Sequence, residues 1–405
     1  MQKFEKHSPV VVTEVTTKHE LRQFMQYPNR LYADNPNYIP SFYGDDLSDW
    51  TPGKNPAFDY CEARCWLARR DGEIVGRIGA ILSHKANDKF GTHRMRFSQV
   101  DFVDDSEVSA ALFGTVERWA REKGCDQVHG PLGFTDMDRE GMLVEGFDRR
   151  SLFFTNYNAP YYLEHLTRLG YRKDVDWIEY RITVPEPGGA EAERLHKLSE
   201  FILKRKHLHV ATVHHKSEYG PFVRQVFELV NAAYAPLYGV VELSDEQIER
   251  YANKFIPLVD PDFVCFVVDE QDQLVAFGVT ALDPSVALKH SDGRLFPFGW
   301  AGVLNDLHHS DTLIMLLTAV RPDLQAEGIN AVMMDHVCQS CNRHGVRFAE
   351  TGPMLELNDH ILAQWKRLEK EQHKRRRCFI KDLDHDVNAA NAAAAQTETP
   401  ETESA

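Results

Sequence analysis

The order of predicted elements repeats once along the chain, and this repeat limits the possible folds more than any other feature. CWLARRDGEIVGRIGAIL at residues 65–82 predicts a β-hairpin, because two strand-like runs flank an Asp-Gly turn. A strand at 95–103 and a helix at 106–124 follow, and then a strand, a helix and a closing strand. The order starts again with a second hairpin at residues 263–282. An internal duplication is therefore predicted.

The second half completes the same order. A strand, a loop and a helix are predicted over residues 312–345, and a strand over 346–354. A helix over 358–374 and a last strand over 375–383 then match the end of the first half. The predicted fold class is α/β in the mixed α+β sense, with two lobes in tandem.

Composition gives the limits of the lobes. PEPGG at residues 185–189 is a Pro/Gly break of the kind found between domains. Ser244, with Gln247 three residues later, is a capping-box pattern that predicts a helix start before the second hairpin. The Ala- and Thr-rich tail has too few large apolar groups to offset the entropy of ordering. The predicted organisation is a first lobe at 1–186, a linker helix at 187–207, a second lobe at 208–385 and a disordered tail at 386–405.

Charge and targeting signals restrict the partners. The chain has 46 Lys and Arg against 61 Asp and Glu, for a formal charge of −15, so binding of nucleic acid is not expected. The first residues do not show the basic segment followed by an apolar segment that is typical of a signal peptide, and no apolar stretch is long enough for a transmembrane segment. We predict a cytoplasmic protein of unknown oligomeric state.

Cysteine usage does not indicate a metal site. Seven cysteines are spread over 405 residues, which is not the pattern of a disulfide framework. Cys338 and Cys341 form a CxxC, but no second pair of ligands follows with zinc spacing. We therefore predict buried, reduced cysteines and no metal.

A loop in the second half is the clearest candidate for anion binding. Gln325, Gly328 and Asn330 lie between a predicted strand and a predicted helix. A pyrophosphate at a helix N-terminus needs free backbone N–H groups and a glycine where the main chain comes close. This spacing resembles the Arg/Gln-x-x-Gly-x-Gly/Ala signature of the GCN5-related N-acetyltransferase (GNAT) superfamily, with Asn330 departing from the small residue of the signature.

The resemblance extends over residues 30–384, to a bacterial group of tandem GNAT-like proteins. The segments that carry it are LYADNPNYIPSF, KNPAF, RDGEIVGRIGAI, HGPLGFTDMDREGMLVEGFD, NYNAPYYLEHLTRLGY and GRLFPFGW. It implies that each lobe is a mixed, mostly antiparallel sheet flanked by helices. Acetyl-CoA or a longer acyl-CoA would be the co-substrate.

The resemblance also implies roles for particular residues. The main chain of Thr318, Ala319 and Val320 would pair with the pantetheine arm and supply the oxyanion donor. Asn358, and Asn158 in the first lobe, would open helices near the pantetheine, and Tyr161 or Tyr162 would protonate the leaving thiolate. The corresponding loop of the first lobe, DDSEVSAA, has two acids and no glycine, which disfavours pyrophosphate. We therefore expect acyl-CoA in the second lobe and a structural or acceptor-binding role for the first.

Acyl transfer to an amine also requires a proton acceptor. Glu350 is the first candidate and Glu356 the second, because both flank the strand beside the predicted cleft. The loop HGPLGFTDMDREGM, with Asp136, Asp138 and Glu140, is expected to line a pocket between the lobes.

Two other segments have structural interpretations. GRLFPFGW at residues 293–300 is expected to pack between the lobes rather than to contact a ligand. The basic cluster at 374–377 is expected to be a solvated helix end.

Three functions remain open at this point. The first is an acyl-CoA-dependent N-acyltransferase acting on a small amine or a long-chain lipid amine. The second is a non-catalytic GNAT-like binding protein. The third is an aminoacyl-tRNA-dependent, peptide-bond-forming transferase, which the acidic composition disfavours.

Overall fold

A computed structural model of the chain describes residues 8–383. The strands are β1 Val11–Glu14, β2 Cys61–Arg70, β3 Glu73–Ser83, β4 Arg94–Phe102, β5 Gln127–Gly130, β6 Met142–Glu145, β7 Arg172–Thr183, β8 His209–Val210, β9 Val264–Val268, β10 Leu274–Leu282, β11 Thr312–Val320, β12 Phe348–Glu350, β13 Met354–Leu355 and β14 Lys370–Asp382. The predicted disordered tail, 386–405, lies outside the described residues.

Helices cover the sheet on both faces. They are α1 Lys18–Leu31, α2 Tyr43–Asp49, α3 His84–Phe90, α4 Ser106–Glu122, α5 Tyr161–Arg168, α6 Ala190–Lys206, α7 Gly220–Tyr234, α8 Asp245–Phe255, α9 Ser285–His290, α10 Gly299–His309, α11 Asn330–His344 and α12 Asp359–Ala363. None of the helices in the described part of the chain is both long and apolar enough to span a bilayer.

The strands form one continuous sheet in the order β1-β2-β3-β4-β5-β14-β7-β12-β11-β10-β9-β8. β4 pairs with β5, and β11 with β12, in parallel. The other ladders are antiparallel. Each half thus contains a hairpin, a parallel pair and covering helices, so the predicted mixed fold class is confirmed.

The last strand of each half lies beside the parallel pair of the other half. β14 is inserted between β5 and β7, with Phe379 opposite Gly130 and Lys173. β7 in turn pairs with β12, with Ala349 opposite Ile182. The two halves are therefore joined by exchanged strands, and the lobe limits at 186 and 208 stay a prediction.

Two local predictions, a hairpin turn and a helix start, are confirmed by the structure. Asp71 and Gly72 have φ of 52° and 84°, and β2 and β3 pair directly beside them, as a type I′ hairpin turn requires. Ser244 and Gln247 form the predicted capping box at the start of α8.

The predicted helix over 358–374 is wrong beyond its first turn. α12 ends at Ala363, and β14 begins at Lys370. Trp365 is buried between them and donates its indole N–H to the Met354 sulfur at 3.2 Å. Pairing with β7 therefore overrides the helical propensity of the segment.

The basic cluster at 374–377 is not a solvated helix end. It lies in β14, where Lys374 and Arg376 point to one side and are fully buried. Both contact Glu179 of β7, with Lys374 Nζ at 3.3 Å from its Oε2. Carboxylates on the partner strand make this burial possible, because buried charges require partners.

The packing of the second half sets the position of the candidate site. α7 and α8 cover one face of β9–β11, with Phe227, Val230 and Phe277 in the shared core. α6 and α11 cover the other face around Val267 and Val332.

Candidate functional site

β11 and β12 separate along their length and leave an opening in the sheet. They pair only between Thr312–Ile314 and Phe348–Glu350, while β11 continues to Val320. A β-bulge at Val279/Thr280 of β10 interrupts the register with β11 at the same level, and bulges of this kind bend strands near functional sites. The main chain of the predicted residues Thr318, Ala319 and Val320 therefore lies on the strand that borders the opening.

The loop after β11 leaves backbone donors free. Gly328 has φ of 84° and precedes α11, which has no acidic residue in its first turn. The N–H groups of Gly328, Ile329 and Asn330 donate no hydrogen bond to the described residues. A helix N-terminus of this type is suited to an anion such as pyrophosphate.

The side chains around this loop are paired with one another. The predicted Gln325 donates to the Val320 carbonyl at 3.2 Å. Arg321 is held by Asp323 at 2.7 Å, and Lys206 by Glu327. The loop therefore offers backbone donors rather than free cations.

The equivalent helix in the first half is already capped by a carboxylate. Asp105 accepts from the N–H groups of Glu107 at 2.8 Å and Val108 at 3.4 Å. Arg70 binds both Asp105 and Glu107. An anion would meet acidic side chains at this helix end, and repulsion between like charges opposes its binding.

The first-half opening between β4 and β5 is also filled. The Tyr162 hydroxyl accepts from Phe102 N at 2.7 Å, and the Tyr161 hydroxyl donates to Phe102 O. Asn158 bonds to both main-chain groups of Leu143, at 2.8 and 3.0 Å. The predicted Tyr161 therefore lies on β4 of the first half and not on β11, the strand that borders the opening in the second half.

Glu350 lies at the end of the short β11–β12 ladder, but ion pairs hold its carboxylate. Lys374 Nζ and Arg181 Nη1 are each at 3.3 Å from it. His373 Nε2 lies 3.9 Å away, is buried, and lacks a hydrogen-bond partner among residues 8–383. Burial and the Lys374 charge lower the pKa of His373 to about 3, so this imidazole is neutral.

The other two predicted residues on this side are also engaged. Glu356 pairs with Lys173 and with Arg375, the latter at 2.8 Å. Asn358 caps α12 by accepting from Ile361 N at 3.2 Å. Glu350, Glu356 and Asn358 therefore do not converge with Tyr161 into one catalytic group.

A loop from the first half reaches the second half, as expected for HGPLGFTDMDREGM. Thr135 Oγ1 lies 2.6 Å from the Tyr251 hydroxyl of α8, and Arg96 donates to the Gly133 carbonyl at 2.8 Å. Burial, with the Asp138 charge adding to it, raises the pKa of Asp136 to about 6. Burial and the Asp49 charge raise the pKa of Asp138 to about 6 as well. The loop thus holds carboxylates with pKa values near those of a general base.

Tyr234 connects this loop to β11. Its hydroxyl donates to the Thr318 carbonyl at 2.7 Å. Burial raises the pKa of Tyr234, and the Asp136 charge raises it further, so the hydroxyl keeps its proton. No local signal in the sequence indicates the Tyr234–Thr318 pair, because 84 residues separate its members and only the fold brings them together.

An apolar cavity opens beside these groups. Met137, Leu316 and Leu317 border it on the side of Asp136 and Thr318. The rest of its wall comes from α7, α8 and β9, and includes Val223, Val226, Phe227, Ala252, Phe255 and Phe266. Its apolar lining suits a hydrocarbon chain.

One group of side chains in the described residues has the composition of a metal site. His129, Asp174 and Cys378 have ligand atoms within 4.8 Å of one another. The Tyr238 hydroxyl lies among them, at 2.5 Å from Asp174, 3.0 Å from His129 and 3.4 Å from Cys378. Hydrogen bonds to Tyr238 thus account for the cluster.

The fold is that of a tandem GCN5-related N-acetyltransferase (GNAT) protein, so the likeness in fold that the sequence resemblance implied is confirmed. No family model matches the chain. A tandem GNAT protein from the clavulanic acid biosynthesis pathway superposes with a TM-score of 0.52 at 13% identity, covering 93% of this chain and 99% of its own.

Two relatives are similar in sequence. Protein YghO of Escherichia coli K12 is 27% identical over 379 residues, which are 92% of this chain and 95% of that protein. A bacterial ceramide synthase of Caulobacter vibrioides is 28% identical over 300 residues, which are 72% of this chain and 75% of that protein.

Proposed function

We propose that the chain is an acyl-CoA-dependent N-acyltransferase, that its second half binds the acyl donor, and that the acceptor is a long-chain lipid amine. The observation that carries the proposal is the junction of an apolar cavity with the open edge of β11. Similarity to a protein named bacterial ceramide synthase supports the same substrate class, because a ceramide is an N-acylated long-chain amine.

Donor binding would use the main chain. The N–H groups of Gly328, Ile329 and Asn330 would receive the pyrophosphate, and Thr318–Val320 would border the pantetheine. The filled openings of the first half support assigning the donor to the second half.

Proton transfer would use Asp136 and Tyr234. As the amine nitrogen attacks the thioester carbonyl, the C–N bond forms and the C–S bond breaks. Asp136, with a pKa of about 6, would accept the proton lost by the nitrogen. Tyr234 would donate its proton to the leaving sulfur, because its hydroxyl lies on Thr318 of β11. It replaces the earlier candidate Tyr161, whose hydroxyl lies on Phe102 of β4 in the other half.

Asp136 is a better candidate for the base than Glu350. Two cations, Lys374 and Arg181, lie 3.3 Å from Glu350 and occupy its oxygens. Among the described residues Asp136 has no such partner, and the next residue in the chain, Met137, lines the cavity.

One observation favours a second candidate, a non-catalytic binding protein. The cations beside the donor loop are paired with acids, so the loop has less positive charge available for phosphate. Donor binding distinguishes the two functions.

The test is calorimetric titration with acetyl-CoA and with a long-chain acyl-CoA. Gly328→Glu adds a carboxylate to the donor loop and is expected to abolish binding. Gly345→Glu is the matched control, because Gly345 ends the same helix and also has positive φ, at 70°. Absence of binding by the unmodified protein would favour the non-catalytic function, whereas equal binding by both variants would exclude the Gly328 loop as the donor site.

A further inference from the structure

The segment from α9 to α10 exposes large apolar side chains. Phe296 and Phe298 are each 80% exposed, Trp300 is 47% exposed and Leu304 is 45% exposed. Trp300 and Leu304 are four residues apart on α10 and therefore share one helix face. We call these four residues the aromatic ridge. The prediction that GRLFPFGW packs between the lobes is wrong for its aromatic side chains.

The inner side of the segment that carries the ridge packs against the protein core. Leu295, Val303 and Leu307 pack against Leu288 and Ile314 on the inner side of the segment. The Trp300 N–H donates to the Leu295 carbonyl at 2.8 Å, and its indole N–H donates to Pro297 O at 3.2 Å. The exposure is thus a property of a packed helix and turn, not of a loose loop.

Exposed apolar patches of this kind mark interaction surfaces. The two phenylalanines project from a turn, which suits insertion into a soft apolar phase. Trp at the edge of such a patch is typical of the membrane interface.

The local charge also suits a lipid surface. The chain has a net charge of −15, yet Lys289 and Arg294 balance Asp292 and Asp306 between residues 285 and 309. The Asp306 carboxylate is moreover occupied by the Ala287 N–H, at 2.7 Å. The charge near the ridge is therefore balanced, so anionic lipid repels this part of the surface less than it repels the acidic protein as a whole.

The ridge and the apolar cavity adjoin the same side chain. Leu316 of β11 lines the cavity and also packs against the cluster below the ridge. We propose that the aromatic ridge docks the protein on the surface of a lipid bilayer. Docking holds the cavity close to the membrane, from which a hydrocarbon chain enters it.

Vesicle sedimentation with the full chain tests this proposal. The probes are phosphatidylcholine vesicles and vesicles that also contain phosphatidylglycerol. We expect the unmodified protein to sediment with vesicles and Phe296→Ser/Phe298→Ser to bind at least about tenfold more weakly, because two phenylalanines no longer enter the apolar phase. Phe201→Ser is the matched control, since Phe201 is 57% exposed on α6, which packs on the other face of the sheet.

Three results would overturn the proposal. The first is that the unmodified protein stays in solution with both vesicle types. The second is that the double variant binds vesicles as well as the unmodified protein. The third is that Phe201→Ser loses as much binding as the double variant. Sedimentation velocity without lipid tests for self-association. If the unmodified protein is a dimer, the double variant is a monomer and neither binds vesicles, the ridge is an interface with a second copy of the chain. The assay contains no acyl donor or amine, so its result is independent of the proposed function.

Discussion

Glu179 is the carboxylate on which the buried ion pairs between β7 and β14 depend. It is fully buried and contacts Lys374 and Arg376. Removing its charge leaves cations buried without full compensation, so we expect Glu179→Gln to lower the free energy of unfolding by about 3–5 kcal/mol. Denaturant unfolding measures this, with the exposed Glu164→Gln as a control that should change stability by no more than about 0.5 kcal/mol.

The same carboxylate gives the stability a pH dependence. Burial opposes ionisation, but the Arg376 and Lys374 charges lower the pKa of Glu179 to about 2 from an ordinary value of 4.5. A lowered pKa means that the stabilisation is complete above pH 4.5 and is lost as the pH falls toward 2. Unfolding free energies measured across this range should fall more steeply for the unmodified protein than for Glu179→Gln; parallel curves would contradict the assignment.

Asp136 gives a prediction for catalysis. If it accepts the amine proton, Asp136→Asn lowers kcat by about 10²–10⁴-fold. It also removes the acidic limb of the kcat/KM profile near pH 6. Asp126→Asn, an exposed acid on the same half, should leave both unchanged. A variant that keeps the limb would exclude Asp136 as the base.

At the scale of elements, β14 shows how the halves depend on each other. Phe379 is buried in the core of the first half, although it lies near the end of the chain. Phe379→Ala should therefore destabilise the first half by about 3–5 kcal/mol and reduce amide protection in β5, as measured by hydrogen exchange. Phe90→Ala, at a position that is 42% exposed, is the control. Loss of protection confined to β9–β11 would contradict the strand exchange.

The elements that could be predicted from the sequence are those that local chemistry determines. The Asp71–Gly72 turn and the Ser244 capping box need only neighbouring residues, and both are present. The first residues of β14 were wrongly predicted as helix. Their burial as a strand depends on acids of β7 almost 200 residues earlier, which no local pattern reveals. The Gly328 loop could be predicted from its signature, whereas Asp136 and Tyr234 belong to different halves and no local pattern links them.

For the whole molecule, the cavity predicts a chain-length preference. Val223 borders the cavity, so Val223→Phe should shift the preferred substrate toward shorter chains with little change in kcat for a short one. Val11→Phe, at a position that is 55% exposed, should not change the preference. Initial rates over a series of chain lengths measure this. An unchanged series for Val223→Phe would mean that the hydrocarbon chain binds elsewhere.

The proposed acyl transfer can be measured directly. The most direct measurement is mass-spectrometric detection of the amide formed from a long-chain acyl-CoA and a long-chain amine, with Asp136→Asn in parallel. We expect amide formation by the unmodified protein, faster with the long-chain amine than with a short one, and almost none by the variant. Absence of the amide, or equal rates with short and long amines, would contradict the proposal.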